Sequence, residues 1–136
     1  MQPALRAPIA VGLGAVPGAL SRYYLSQSLA QWAWLAGFPA GTLAVNLLGC
    51  FLLGLFLTLT RNKIPVGEDV RLLVATGFIG SLTTFSSYGL EVTNLGLAHW
   101  RLTLLYGLGS PMLGLVCLFS GIALAQNLAV ERDDLL

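Results

Sequence analysis

The chain has 136 residues, of which 56% are hydrophobic and only 10% charged, whereas soluble domains carry about 25% charged residues. Seven basic and six acidic side chains give a net charge of +1, and the basic residues are scattered, which excludes a nucleic-acid surface built on clustered Lys and Arg. A bilayer core about 30 Å thick is crossed by about 20 apolar helical residues, so this length accommodates four spans and short loops but no soluble domain.

The prediction is therefore an all-α membrane protein, with residues 1–136 forming one four-helix transmembrane domain. The first span is placed at about 7–29. Arg6 and the apolar run from Ala7 to Leu20 resemble a signal peptide, but Ser21-Arg22-Tyr23-Tyr24 stands where a cleavage site would need small residues, so the span is expected to be retained. Trp32 and Trp34 follow in the first connection, where indoles sit at headgroup level. The second span, 41–60, has no charge and a single amide, Asn46, and ends at Arg61-Asn62-Lys63-Ile64-Pro65. The third covers about 70–95 and the fourth about 101–130, with Trp100 in the loop between them. That loop shares a membrane face with the first.

Gly49, Gly54, Gly77, Gly80, Gly107, Gly109 and Gly114 lie within the last three spans, where small residues let helix backbones approach in the absence of a hydrophobic drive between helices. Four short helices enclose little interior, so an oligomer is expected. With a cytoplasmic N-terminus, Arg6, Arg61, Lys63, Arg71 and Arg132 collect on the inner side against Arg101 and Arg22 outside or within the membrane, a bias toward one orientation. Cys50 and Cys117 sit in apolar stretches without ligand-like neighbours and read as packing residues.

Polar groups at membrane depth are costly and mark candidate functional positions. Here they are Arg22, Asn46, Ser81, Thr83, Thr84, Ser86, Ser87, Tyr88, Glu91, Tyr106 and Ser110. They are densest in the third span, where Gly77, Gly80 and the hydroxyl-bearing residues after them are poor helix formers. A helix break is expected in this run, turning free carbonyls toward protein, where they could hold a small cation. Helical spacing would put Ser81, Phe85 and Tyr88 on one face, with Glu91 extending it, and Tyr106 with Ser110 on a face of the fourth span. Nothing supports an enzyme: no nucleophilic triad is present, and His99 stands alone beside Trp100 in a loop.

Three segments carry a family resemblance: Gly18-Ala19-Leu20-Ser21-Arg22-Tyr23, Gly41-Thr42-Leu43-Ala44-Val45-Asn46-Leu47-Leu48-Gly49, and Thr76-Gly77-Phe78-Ile79-Gly80-Ser81-Leu82-Thr83-Thr84-Phe85-Ser86. In this order, in a chain of this size, they resemble the Fluc (CrcB) family of fluoride channels over nearly the whole length. The resemblance implies an antiparallel, dual-topology dimer in the cell (plasma or inner) membrane, passing fluoride passively out of the cytoplasm and so lowering its toxicity. It implies a structural sodium ion at the dimer interface, held by the backbone carbonyls of Gly80 and Thr83. Pore-lining roles carry over to Phe85 and Tyr88 as aromatic rings, Asn46 as an amide, Thr84, Tyr106 and Ser110 as hydroxyls, Glu91 as a pore-side acid and Arg22 as a vestibule base.

Two departures from the pattern stand out. The second ring is Tyr88 where the family has Phe, and the hydroxyl track of the fourth span fades after Ser110, because Gly114 and Leu118 follow. Together with the orientation bias, they leave open whether the chain pairs with itself or with an oppositely oriented paralogue. Two other functions compete. A small dual-topology multidrug exporter would want an acid in the first span, which has none. In a non-transporting membrane assembly subunit, the polar run would only fasten helices.

Overall fold

The computed structural model describes residues 3–31, 37–62 and 64–133. The expected interfacial Trp32 and Trp34 and the basic Lys63 lie outside them, as does the side chain of Arg132. Among the described residues every element is helical: α1 (Pro3–Ala30), α2 (Ala40–Asn62), α3 (Glu68–Arg71), a π-helix (Leu72–Ile79), α4 (Gly80–Leu82), α5 (Phe85–Ala98) and α6 (Trp100–Asp133). The third segment of the sequence is thus four consecutive pieces.

Among the described residues, three stretches are long and apolar enough to cross a membrane: Ala40–Arg61, Glu68–Gly96 and Trp100–Leu128. Helix α1, at 28 residues, has the length but is not among them, because Pro8, Pro17, Arg22 and the small residues between them dilute its apolar content. The predicted first span therefore coincides with a helix, while its composition is less apolar than that of the other three. Large hydrophobic side chains cover the outer faces: Leu13 and Val16 on α1, and Leu105, Leu108, Met112 and Phe119 on α6, are all more than half exposed. Apolar surface this extensive needs lipid or a partner against it.

The helices run up and down. An ion pair between Arg6 and Asp69, at 2.7 Å, brings the starts of α1 and α3 to one end of the bundle. From there α1 and the third segment run parallel, meeting backbone to backbone. A Cβ on Gly18 would lie 2.3 Å from the Phe78 carbonyl oxygen, and one on Gly77 would lie 2.5 Å from that of Val11. Helices α2 and α6 are packed in the same way, since a Cβ on Gly54 would meet the Leu118 carbonyl oxygen at 2.2 Å and one on Gly121 that of Phe51 at 2.2 Å. Close backbone approach of this kind maximises van der Waals contact where lipid removes other driving forces.

The break in the third segment is present, and it falls at Thr83 and Thr84, both of extended backbone. Gly77 and Gly80 do not make it. Gly77 lies in the π-helix and serves the crossing with α1, and Gly80 opens the short α4. Because the break separates Ser81 from Phe85, these two do not share a helical face, contrary to the spacing argument. π-Helical turns widen a helix by one residue and often accompany functional sites. Here the π-helix precedes the break, with only the short α4 between them.

Gly18→Val is expected to destabilise the protein by about 1–3 kcal/mol or more, the usual range for overpacking. Thermal unfolding in detergent measures this. Gly12→Val, where a Cβ meets nothing within 4 Å, should leave the midpoint unchanged.

Candidate functional site

Asn46, midway along α2, faces the break. Its Nδ2 donates to the Thr84 carbonyl at 3.0 Å, and its Oδ1 accepts the Thr84 N–H at 2.8 Å. One side chain thus satisfies both main-chain groups of a residue that has left the helix. Thr84 in turn caps α5, its hydroxyl accepting the Ser87 N–H at 3.2 Å, the bond that typifies a helix N-cap. Hydroxyls of Ser86 and Ser87 lie within 3.2 and 3.1 Å of the same oxygen.

The carbonyls before the break are differently placed. Among the described residues, the Gly80 and Thr83 carbonyls accept no main-chain hydrogen bond, and Gly80 receives only the Thr83 hydroxyl at 3.4 Å. They are the free acceptors that a helix end leaves.

Beyond the break, α5 and α6 run antiparallel and bring aromatic rings together. Centroids of Phe85 and Tyr88 are 5.5 Å apart, those of Tyr88 and Tyr106 are 5.4 Å, and those of Tyr106 and Phe38 are 5.8 Å, all within the range of favourable ring pairs. The series runs from the surface inward, since Phe85 is 82% exposed and Tyr106 only 2%. The Tyr88 hydroxyl donates to the Gly107 carbonyl.

Glu91 lies one helical turn further. Its Oε2 accepts the Tyr106 hydroxyl at 2.7 Å and its Oε1 accepts the Thr42 hydroxyl at 2.5 Å. Two donors from two other helices hold an acid that would be costly in lipid alone. Ser110 is buried one turn beyond Tyr106.

A cavity of about 530 Å³ unites most of these residues: Asn46, Gly80, Thr83, Thr84, Phe85, Tyr88 and Ser110 all line it. Tyr106 and Glu91 join it through the Tyr88 ring. Cys50, Gly114 and Leu118 complete the wall beyond Ser110, so its polar character does fade there. Arg22 is not brought into the group: it is half-buried on α1 and neither lines the cavity nor bonds to another site residue among those described. Among the described residues no cluster of three or more His, Cys, Asp or Glu could hold a metal by side chains.

Two participants had escaped sequence reasoning. Thr42 stands four residues before Asn46 on the same helical face, a spacing that could have pointed to it. Phe38 precedes α2 in the connecting segment, and no periodicity marks a loop ring that packs against a helix distant in sequence.

The family described as CrcB-like protein, Camphor Resistance (CrcB), matches residues 9–122. The chain belongs to this family. It is 44% identical over 127 residues to a protein named fluoride-specific ion channel FluC from Synechococcus sp. (strain JA-2-3B'a(2-13)), covering 93% of this chain and 97% of that one. A protein of the same name from Synechocystis sp. (strain ATCC 27184 / PCC 6803 / Kazusa) is 43% identical over 137 residues, covering 96% and 100%. Another, from Trichormus variabilis (strain ATCC 29413 / PCC 7937), is 44% identical over 127 residues, covering 92% of each chain. With three apolar helices able to span a bilayer, this member of the CrcB-like family is a multi-pass membrane protein.

Asn46→Leu should leave the Thr84 amide and carbonyl without partners, costing on the order of 1–3 kcal/mol per group. Hydrogen exchange is the direct measurement. The Thr84 amide is expected to exchange roughly tenfold faster or more, tenfold corresponding to about 1.4 kcal/mol.

Proposed function

We propose that this chain is a subunit of a fluoride-selective channel through which fluoride leaves the cytoplasm passively, lowering its toxicity. The observation that carries the reading is 44% identity, over 93% of the chain, to a protein named fluoride-specific ion channel. Site chemistry supports it. Fluoride is small and strongly hydrated, so a path for it must replace water with close donors, and amide and hydroxyl groups with the electropositive edges of aromatic rings do so. Asn46, Thr84, Ser110, Tyr106, Phe85 and Tyr88 are assigned to the pore lining. Glu91 is the pore-side acid, and Arg22 keeps a vestibule role outside the cavity.

In this reading α1 also crosses, as the first of four spans, supported by its parallel course beside the third segment from the Arg6–Asp69 end. Two chains pair antiparallel, each covering the other's exposed apolar face and Phe85. A structural sodium ion at their interface would be held by the Gly80 and Thr83 carbonyls. Both are hard oxygen donors without main-chain partners, which fits a hard cation. Pairing with itself is favoured over pairing with a paralogue as the simpler arrangement.

Fluoride efflux from vesicles containing only this polypeptide is the test. Rapid efflux without a proton gradient is expected. Gradient-dependent efflux would indicate an exporter, and none at all an assembly subunit or an obligate pairing with a paralogue, which co-reconstitution separates. Phe85→Ile should slow efflux at least roughly tenfold with the dimer intact by crosslinking, and undiminished flux would remove Phe85 from the pore.

A further inference from the structure

Helix α6 carries a proline in its interior, Pro111. Lacking an N–H, Pro111 cannot donate to the carbonyl four residues before it, that of Gly107. Water normally compensates such a gap, and at membrane depth it is scarce. The Tyr88 hydroxyl, arriving from α5, donates to that same carbonyl at 2.5 Å. In α1, by contrast, Pro17 leaves the Leu13 carbonyl in the same position, and Leu13 lies on the exposed outer face. The gap in α6 is filled from another helix at the point where Tyr88, Ser110 and Pro111 share the cavity wall.

We propose that Tyr88 supplies the donor that Pro111 withholds from α6, so that Tyr88, Gly107 and Pro111 form one positioning unit. It fixes the Tyr88 ring in register with Phe85, Tyr106 and Ser110. Phenylalanine at this position would keep the ring and leave the Gly107 carbonyl bare. The ring's rotation is set at its far end by the hydroxyl and along its faces by neighbours 5.5 and 5.4 Å away. The bond itself is independent of the transported ion; its consequence for conduction rests on the channel reading above.

A double-substitution cycle with Tyr88→Phe and Pro111→Ala tests this, read both by unfolding of the purified protein in detergent and by fluoride efflux from vesicles. Tyr88→Phe alone should lower the unfolding midpoint, slow efflux per assembled protein roughly tenfold, and raise the fluoride concentration that gives half-maximal flux. Pro111→Ala restores a main-chain donor to Gly107. In that background Tyr88→Phe should therefore leave the unfolding midpoint nearly where it was and slow efflux by no more than about twofold, a clear departure from additivity. Equal losses in both backgrounds would overturn the proposal. Coupling in unfolding with no change in flux or half-saturation would overturn the positioning role and leave only a structural bond. No fluoride passage by the unaltered protein would overturn the channel reading instead, and the unfolding cycle would still accept or reject the bond.

Discussion

A helix cannot simply stop inside a bilayer. Each main-chain group left unpaired there costs several kcal/mol, about the size of a whole side chain's contribution to folding. At Thr83 and Thr84 the third segment does stop, and Asn46 replaces both of the bonds that Thr84 forgoes. Much else follows from that pairing. Asn46 is the one amide in the uncharged stretch 41–60 of α2, and its register fixes which face of α2 meets the third segment. Four residues earlier Thr42 reaches Glu91. Three residues later Gly49 leaves room for the Thr83 methyl, which a Cβ would approach to 2.2 Å. One stripe of α2 at helical spacing thus docks both sides of the break.

The break also lets a single segment serve two different partners. Before it, the π-helix lies against α1 through Gly14, Gly18 and Gly77 with no side chain between the backbones. After it, α5 turns an aromatic and acidic face, Phe85, Tyr88 and Glu91, toward Tyr106 on α6. An uninterrupted helix would hold one rotational register through both halves, and a register that buries glycines at α1 would not also direct Tyr88 and Glu91 to α6. The extended pair at Thr83 and Thr84 resets that register within two residues.

Much of this was legible in the residues. Long apolar runs bounded by turns located the helices, and the density of Gly, Ser and Thr located a break within the third segment to within a few residues. Spacing could not say which of those residues would leave the helix. Glycine is a poor helix former in isolation, but at a helix crossing it is retained for the contact it permits. Gly77 therefore stays helical, while the threonines, whose main chain Asn46 can satisfy, do not. The Ser81 to Phe85 spacing failed for the same reason, because helical periodicity holds only within one helix. Phe38 was invisible because a loop ring carries no period. Arg22 was singled out by charge and by resemblance, and the fold keeps it on α1 apart from the cavity.

Polar groups that merely fasten helices should sit where helices fasten. The two crossings that bring backbones closest, α1 with the π-helix and α2 with α6, use none of them and are made by glycine against main chain, while Thr42, Asn46, Tyr88, Glu91 and Tyr106 bond across the helices around the break. Asn46, Thr84, Ser110 and Tyr88 gather instead on the wall of a cavity that the crossings leave open, and Tyr106 and Glu91 extend the same group through shared rings and hydroxyls. Several of these side chains are committed to neighbours, so their positions on and behind the cavity wall are fixed by hydrogen bonds. In the channel reading proposed above, rigid groups at fixed positions are what a path needs if it is to replace the water of one small ion and reject larger ones. Adhesion between helices has no such requirement, and the closest crossings of α1 and α2 are made by glycine against main chain.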